Sequence, residues 1–190
     1  TVSRIRLASD ADGRLTAIGH EAWSQSSRVK EFVEQAAVPS RSMYAAPNRR
    51  TFHHAVPLDV PAPYWMRAPG EMPGMAALEI AMDELAAKLG MDPLELRLKN
   101  YTEVDPNTDK PFSSKELRQC YQQGAERFGW KDRPVEPRSM REGDELIGWG
   151  MATGIWDSLV MVARVSAVLH ADGRLVVSSA ATDIGTGTYT

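Results

Sequence analysis

Apolar residues in the middle of the chain recur at intervals of three and four positions, which is the spacing of one face of an α-helix. The residues of this stripe are Met75, Leu78, Met82, Leu85 and Leu89. Gly90 follows the stripe and is a typical C-terminal cap, and Asp92-Pro93 starts a new turn. Leucines at positions 94, 96 and 98 then predict a second, short helix. The centre of the chain is therefore predicted to form two consecutive helices.

Two Pro-Gly pairs, Pro69-Gly70 and Pro73-Gly74, precede the first of these helices. Both residue types disfavour regular structure, so we expect a tight loop without a regular element there. Arg67 lies just before the first pair, where a rigid loop presents its side chain in a defined direction. Its guanidinium suits an oxyanion, a carbonyl oxygen or a phosphate. The alternative interpretation is that Arg67 pairs with a carboxylate at the surface.

Alternating apolar and polar residues predict strands at the start of the chain. Residues 5–22 should form a hairpin around an Asp-Gly turn at residues 10–13. After the hairpin we expect, in order, a modest helix at residues 29–37, short strands at 41–46 and 51–58, and an extended linker at 58–63.

The second half of the chain begins with a polar, turn-rich segment at residues 102–114, which we expect to be exposed. An amphipathic helix should follow and end at Gly129, with Cys120 packed as a small hydrophobic residue. Beyond a charged connector, strands are predicted at residues 146–155, 160–170 and 174–181. Asp172-Gly173 is the strongest hairpin signal in the sequence, so these strands should form an antiparallel meander.

This order of elements predicts an α+β fold with antiparallel or mixed sheets and packed helices. We divide the chain into four segments. They are a βαβ-type portion at residues 1–63, the loop and helices at 64–130, an exposed connector at 131–145, and the meander with a glycine-rich end at 146–190.

Composition narrows the class of protein. The 190 residues are 43% hydrophobic, which is enough for one sizeable core or two small ones. A net charge of −3 with interspersed signs argues against a nucleic-acid partner. Apolar runs are shorter than the roughly 18 residues that span a bilayer, so we expect no membrane span. The single cysteine excludes an internal disulfide, and an iron–sulfur site needs about four thiolates. Because both ends interrupt predicted elements, we expect an excised part of a larger chain.

Asp183-Ile184-Gly185-Thr186-Gly187-Thr188 follows the last predicted strand. Glycines let the main chain approach a ligand closely, and neighbouring N–H groups and hydroxyls can bind phosphate oxygens. The alternative is a glycine-rich turn that closes a sheet, because the segment has neither the lysine of a P-loop nor the spacing of a dinucleotide fingerprint.

Histidines and acidic residues give weaker indications of chemistry. The histidines are His20, His53, His54 and His170. Since His53 and His54 should face opposite sides of one strand, we expect no histidine metal site. Glu79 and Asp83 share a helical face and are interpreted as a solvated pair, while Glu71 offsets the dipole at the helix start.

The central stretch and the chain end together resemble the molybdopterin-binding subunit of the xanthine dehydrogenase and aldehyde oxidase family. The motif is Arg-x-Pro-Gly, then a helix with Ala-x-x-x-x-Met-Asp-Glu-Leu-Ala-x-x-Leu-Gly, then Asp-Pro-Leu-Glu-Leu-Arg-x-x-Asn. The matching positions are Arg67, Pro69, Gly70, Ala77, 82–86, Leu89, Gly90, 92–97 and Asn100, and the tail from 183 to 188 is similar to the family's cofactor loop.

The resemblance implies roles for individual residues. Ile184, Gly185, Thr186 and Gly187 would grip the pterin and phosphates of the molybdenum cofactor, although well-known eukaryotic members have glutamine where this chain has Thr186. Arg67 would be the catalytic residue of the substrate pocket. Pro69 would help shape that pocket, and Trp156 would line it unless it is a core aromatic. The resemblance implies no protein ligand to the metal and puts the general base, a glutamate, beyond this chain.

The resemblance also implies an activity and partners. The complete enzyme would oxidise an aldehyde or N-heterocycle with water-derived oxygen, using the cytosine dinucleotide form of molybdopterin and partner subunits that carry iron–sulfur clusters and FAD. We expect a cytoplasmic location, or a periplasmic one by co-export with a partner. The isolated fragment should hold no cofactor and be inactive. The alternative is a non-catalytic structural or assembly module with a glycine-rich turn.

Overall fold

The chain starts with the antiparallel hairpin that its alternating residues predict. Strand β1, Val2–Ser9, pairs with strand β2, Leu15–Ser27. In the turn, the Asp10 carboxylate accepts hydrogen bonds from the backbone N–H groups of Asp12 and Arg14. The computed structural model describes residues 1–157, 162–183, 185 and 187. It divides the chain into two units, Thr1–Ile155 and Trp156–Thr190, which are considered separately.

A third strand, β3 (Asn48–Leu58), runs parallel to β2 and completes a sheet of order β1-β2-β3. Parallel neighbours need a crossover connection, which residues 28–47 provide. The predicted helix at residues 29–37 and the predicted strand at 41–46 are both wrong, because the crossover is irregular apart from a 3₁₀ turn at Pro39–Arg41.

Side chains on the flanking strands explain why the crossover is not helical. The Ser26 hydroxyl accepts a hydrogen bond from Phe32 N at 2.8 Å, and His53 Nε2 accepts one from Ala37 N at 2.9 Å. These bonds use N–H groups that a helix would direct along its own axis. Ala36 and Ala37 lie in a turn and are fully buried, so the crossover contributes to the core without forming a helix.

Helices α1 (Glu71–Leu89) and α2 (Pro93–Lys99) confirm the central prediction. The α1 stripe packs on the first sheet, and the core contains Leu15, Ile18, Met43, Tyr44, Ala46, Leu78, Met82, Ala86 and Leu96. Gly90 ends α1 in the left-handed conformation, and the Asp92 carboxylate caps α2 by accepting from Leu94 N and Glu95 N. The expected irregular loop is shorter than predicted, since Pro73 and Gly74 lie in the first turns of α1. Proline is tolerated there because its missing N–H has no partner inside the helix.

Smaller elements follow. Helix α3 (Leu117–Phe128) ends at Gly129 as predicted, but Cys120 is exposed, so the prediction that it packs in the core is wrong. The buried side chain of α3 at this level is its neighbour Tyr121. Two-residue strands form short hairpins on either side of α3. They are β4 (Val104–Asp105) with β5 (Lys110–Pro111), and β6 (Arg141–Glu142) with β7 (Glu145–Leu146).

The second unit contains one hairpin, formed in its described part by β8 (Val165–Leu169) and β9 (Leu175–Ser179) around Asp172-Gly173. The hairpin pairs the last two strands of the predicted meander, and the pairing of its first strand at residues 146–155, which lies in the first unit, stays a prediction. Residues 147–155 belong to the first unit and make no strand pair there. The mixture of helices and small sheets confirms the α+β class. Within the part of the chain that the structure describes, no helix is long and apolar enough to cross a membrane.

Candidate functional site

The loop that carries Arg67 is fixed against the crossover between β2 and β3. A Cβ atom on Gly70 would lie 2.7 Å from the backbone of Gln35, and one on Gly74 would lie 1.8 Å from Ala36 O. Real Cβ atoms do not come so close, so glycine is required at both positions for the loop and the crossover to touch. The Glu34 carboxylate adds a hydrogen bond from Gly70 N at 3.3 Å. The rigid loop expected from the sequence thus has a specific docking surface.

Arg67 itself is exposed at the surface of the first unit. Among the described residues it forms no ion pair. The next residue, Ala68, has a φ of 51°, a left-handed conformation that is uncommon for a residue with a side chain. Pro69 is half-buried in the same loop. The structure therefore brings Arg67 and Pro69 together and directs the guanidinium to solvent.

Exposed aromatic and apolar side chains lie next to Arg67 in sequence. Tyr64, Trp65 and Met66 are all exposed, and the ring of Phe32 from the crossover meets Trp65 edge to face at 6.1 Å between centroids. Lys30 lies over the Tyr64 ring at 5.6 Å. The surface beside the arginine is thus apolar and aromatic, a type of surface that suits an apolar ligand or partner.

Two glycines of the predicted cofactor loop are described, and both have positive φ angles, 99° at Gly185 and 80° at Gly187. Space is open where a Cβ of Gly185 would lie, which fits a ligand that approaches the main chain closely. However, Gly185 N donates to Asp183 Oδ1 at 2.6 Å, so this N–H is not free for a phosphate. Ile184 and Thr186 lie outside the described residues. The described part of the loop thus consists of two glycines with positive φ angles, one of which has its N–H bonded within the loop.

Trp156 begins the second unit and is 62% exposed there. Arg67 and Pro69 belong to the first unit, whereas Trp156, Gly185 and Gly187 belong to the second. The predicted site residues therefore form two local groups, one in each unit.

Sequence reasoning missed a buried polar cluster centred on Glu79, and the interpretation of Glu79 as a solvated residue is wrong. Its carboxylate accepts hydrogen bonds from Arg97 Nε at 2.8 Å, from the Tyr44 hydroxyl at 2.6 Å and from Thr153 N at 2.7 Å. Arg97 also donates to Asp83 Oδ1 at 2.8 Å. The cluster connects α1, α2, the crossover and the segment before Trp156.

Burial and charge both act on the titrating groups of this cluster. Burial raises the pKa of the Tyr44 hydroxyl well above its usual value, and the Glu79 carboxylate raises this pKa further. Burial lowers the pKa of Arg97, but the adjacent Glu79 carboxylate more than offsets this and the net shift is upward. Arg97 thus stays protonated and the Tyr44 hydroxyl stays neutral. The available signal was Arg97 itself, a charged residue within the apolar pattern of α2.

His20, His53 and His54 each contact another group of the first unit, although His54 Nε2 is buried without a hydrogen bond to any described residue. His20 is fully buried, and its two ring nitrogens lie 2.8 Å from Ser40 Oγ and 3.1 Å from Ser3 Oγ. Burial, with a smaller contribution from His53, lowers the pKa of His20 to about 4. His54 stacks on Trp23 with ring centroids 4.9 Å apart. Among the described residues, no group of three His, Cys, Asp or Glu side chains is arranged to hold a metal ion.

Comparison with known proteins gives consistent matches. A family model described as the molybdopterin cofactor-binding domain matches residues 1–101. The aldehyde oxidoreductase molybdenum-binding subunit PaoC of Escherichia coli K12 is 42% identical over 191 aligned positions, which is all of this chain and 26% of PaoC. The xanthine dehydrogenase molybdenum-binding subunit of Escherichia coli O157:H7 is 30% identical over 139 positions, which is 70% of this chain and 18% of that protein.

A solved structure shows the same fold. The aldehyde oxidoreductase from Desulfovibrio gigas superimposes with a TM-score of 0.69 and 27% identity, covering 92% of this chain and 20% of that one. The chain thus spans about a quarter of the length of the curated relative that matches it throughout.

Proposed function

The chain belongs to the molybdopterin cofactor-binding domain family, and we propose that it is one part of the molybdenum-binding subunit of a hydroxylase. The proposed enzyme oxidises aldehydes or N-heterocycles with oxygen derived from water. The observation that carries this proposal is the 42% identity with PaoC, an aldehyde oxidoreductase subunit, along the whole chain.

The glycine-rich end would hold the cofactor, which when bound supplies the metal that accepts the two electrons of the oxidation. Positive φ angles at Gly185 and Gly187 support close approach of the main chain, since a side chain at either position would be strained. Ile184 and Thr186 would contribute through their positions in the same loop, as the resemblance implies. Because Gly185 N is bonded to Asp183, we expect the first phosphate contact at another residue of the loop.

Arg67 would orient the substrate or stabilise negative charge that develops on it. An exposed guanidinium on a loop whose glycines touch the crossover meets the geometric requirement, because its backbone is fixed while its donors are free to reach a ligand. Pro69 would limit the shape of the pocket beside it. The exposed indole of Trp156 would offer an apolar surface to the substrate ring.

Partners and location follow from the same proposal. We expect an iron–sulfur subunit and an FAD subunit to carry electrons away, and the cytosine dinucleotide form of molybdopterin as the cofactor. A cytoplasmic enzyme is proposed, with a periplasmic one by co-export as the alternative. Since the chain spans 26% of PaoC and the resemblance puts the general base outside it, the isolated 190 residues should be inactive.

The test uses the full-length subunit, purified with its partners. Molybdenum content near one atom per subunit, together with aldehyde-dependent reduction of an electron acceptor, is the expected result. A full-length protein that assembles with partners but binds no molybdenum would instead favour the rival function, a structural or assembly module. Molybdenum binding without oxidation of aldehydes or N-heterocycles would contradict the proposed substrates alone.

A further inference from the structure

The carboxylate of Glu34 ties the loop that carries Arg67 to the crossover between β2 and β3. Its Oε1 accepts a hydrogen bond from Gly70 N at 3.3 Å, and its Oε2 accepts one from Thr1 Oγ1 at 2.6 Å. Glu34 forms no ion pair with a residue that the structure describes. Its charge therefore lies at the start of helix α1 without a cation beside it, and the helix dipole favours a negative charge at this position.

Helix α1 lacks the residues that would cap its own start. Gly70 precedes the first helical residue and has no side chain that could accept from a helical N–H group. Pro73 occupies the third helical position, where a capping box needs a glutamate or glutamine that reaches back to the N–H of residue 70. Glu34, 36 positions earlier in the chain, accepts from this N–H instead. The crossover thus supplies the capping bond that the sequence of α1 cannot.

The bond matters for Arg67 because the backbone between residues 67 and 70 is strained. Ala68 has a φ of 51°, and a residue with a side chain keeps this left-handed conformation only where its surroundings hold it. Two hydrogen bonds do so: Met72 N donates to Ala68 O at 3.1 Å, and Gly70 N donates to Glu34. Without the second bond the turn could relax, and the direction in which the Arg67 side chain leaves the loop would change.

Glu34 is itself held in place by the sheet. Its carbonyl oxygen accepts hydrogen bonds from Ala36 N at 2.9 Å and from Ser24 Oγ at 3.4 Å. Ser24 lies on β2, where it is buried. A carboxylate whose own backbone is fixed can hold the loop in one position, which a glutamate on a mobile surface segment could not.

We propose that Glu34 is a positioning residue, which fixes the direction of the Arg67 guanidinium through the N–H of Gly70 and so raises the rate of substrate oxidation. This inference rests on the proposed function, which assigns Arg67 to the substrate pocket. Glu34 does not touch the substrate but limits the orientations of the group that does. Misplacing a catalytic group by about 1 Å can cost about a hundredfold in rate, so losing one of two backbone bonds should cost about tenfold.

A double-mutant cycle in the full-length enzyme tests whether Glu34 acts through Arg67. Glu34→Ala alone should lower kcat about tenfold at unchanged molybdenum content. Added to Arg67→Lys, it should lower kcat by less than about twofold, because the fork that it aligns is already absent. Equal losses in both backgrounds, or no loss in either, would overturn the proposal while the role of Arg67 stands. An Arg67→Lys enzyme with unchanged kcat would refute that role, and this proposal with it.

Two further variants separate the bond from charge and from general stability. Glu34→Gln keeps an oxygen for Gly70 N and offers its amide to Thr1 Oγ1, so kcat should stay within about threefold of the unaltered enzyme. A loss as large as that of Glu34→Ala would overturn the proposal. Glu31→Ala, at an exposed position of the same crossover, is the control and should leave kcat unchanged. If Glu34→Ala lowered thermal stability but not kcat per folded enzyme, Glu34 would be a structural residue only.

Hydrogen exchange at the amide of Gly70 gives a readout that needs neither molybdenum nor turnover. In the full-length subunit, Glu34→Ala should accelerate this exchange about tenfold, and Glu34→Gln should change it little. An unchanged exchange rate in Glu34→Ala would overturn the proposal even if kcat fell. A full-length subunit that oxidises no substrate would refute the proposed function, and the exchange rates would then still decide whether Glu34 holds the loop.

Discussion

Glu79 and Arg97 form an ion pair at 2.8 Å in which both side chains are almost completely removed from solvent, with 4% and 0% of their surfaces exposed. The two residues come from consecutive helices, α1 and α2. The remaining donors of Arg97 are used by Asp83 and by the carbonyl oxygens of Pro93 and Glu79. The hydrogen-bond donors of this buried pair are occupied. Replacing one partner with a neutral residue is therefore costly, because the other charge stays buried without compensation.

Replacing Glu79 with glutamine should therefore destabilise the chain by roughly 3–5 kcal/mol. Arg97 would keep Asp83, but the Asp83 side chain is 44% exposed and screens a buried charge poorly. Urea denaturation measures the change in the free energy of unfolding. Glu84→Gln, on an exposed position of the same helix, is the control and should change stability by less than about 0.5 kcal/mol. A similar small effect of both variants would show that the pair contributes little.

Two helical glycines should respond in opposite ways to alanine. In Gly74→Ala the new Cβ would lie 1.8 Å from Ala36 O, so the backbone must shift, at a cost of about 1–3 kcal/mol. In Gly124→Ala no atom lies within 4 Å of the new Cβ, and the better helix former should add about 1 kcal/mol of stability. Thermal or urea unfolding of both variants checks the prediction, which fails if the two shifts have the same sign.

Stability should fall in mildly acid solution because His20 is buried in its neutral form. Its pKa is lowered to about 4, whereas in the unfolded chain it is near 6.5. Below pH 6.5 the unfolded state binds a proton that the folded state does not, so the free energy of unfolding should fall between pH 6.5 and 4 and level off below that. The full effect is about 3 kcal/mol.

The variant His20→Gln isolates this effect from other titrating groups. Glutamine can still hydrogen-bond to Ser3 and Ser40 but does not ionise in this range. As the pH falls through this window, the free energy of unfolding of the unaltered chain should therefore decrease relative to that of the variant. If the curves remain parallel, His20 does not cause the acid sensitivity.

In the full-length subunit, Gly187→Ala should lower the molybdenum content per folded molecule. Gly187 has a φ of 80°, and an alanine there adds strain and a methyl group at the proposed cofactor surface. Gly173→Ala is a matched control, since Gly173 has a φ of 84° but lies in the hairpin turn between β8 and β9. Both variants should lose about 1 kcal/mol of stability, and Gly187→Ala alone should lose metal. Equal molybdenum contents would mean that the glycine-rich end is simply a turn.

Arg67→Lys in the full-length enzyme keeps the positive charge but loses the planar fork of donors. If Arg67 stabilises charge that develops in the transition state, kcat should fall by about a hundredfold at unchanged molybdenum content. Steady-state kinetics and a metal assay on the same preparation measure both quantities. Arg127→Lys, at an exposed position of α3, is the control and should change neither.

Two other results would revise the role of Arg67. Loss of molybdenum in Arg67→Lys would make the arginine an anchor for the cofactor. Unchanged kinetics and metal content would make it a surface residue without a catalytic part.

Local signals were enough to predict the elements whose determinants lie within a few residues. The Asp-Gly turns predicted both hairpins. The stripe from Met75 to Leu89 predicted α1, because its spacing of three and four residues continues over the length of a helix. The crossover after β2 was misjudged because its N–H groups bond to Ser26 and His53, which are side chains of the flanking strands. No pattern inside residues 29–37 contains that information.

The same limit applies to the site. Glu79 and Asp83 have the spacing of a solvated helical pair, and the buried position of Glu79 depends on Arg97 and Thr153, which come from distant parts of the sequence. Arg67 and the glycine-rich end were recognised through family resemblance, which no spacing rule supplies. The alternation of residues 147–155 was visible in the sequence, but the bond from Thr153 N to Glu79 was not, because it joins residues 74 positions apart.

The cluster around Glu79 also sets an order of events during synthesis on the ribosome. Arg97 follows Glu79 by 18 positions, so the ion pair can form as soon as α2 has emerged. Thr153 lies 74 positions after Glu79 and 109 positions after Tyr44. Closing these longer loops costs more chain entropy than bringing Glu79 and Arg97 together. Until Thr153 has been synthesised, Glu79 of the nascent chain can therefore pair with Arg97 but lacks the hydrogen bond from Thr153 N. A ribosome that pauses after Arg97 and before Thr153 would prolong the interval in which water reaches the Glu79 carboxylate. Codon usage over residues 97–153 would then affect the folding yield of the protein.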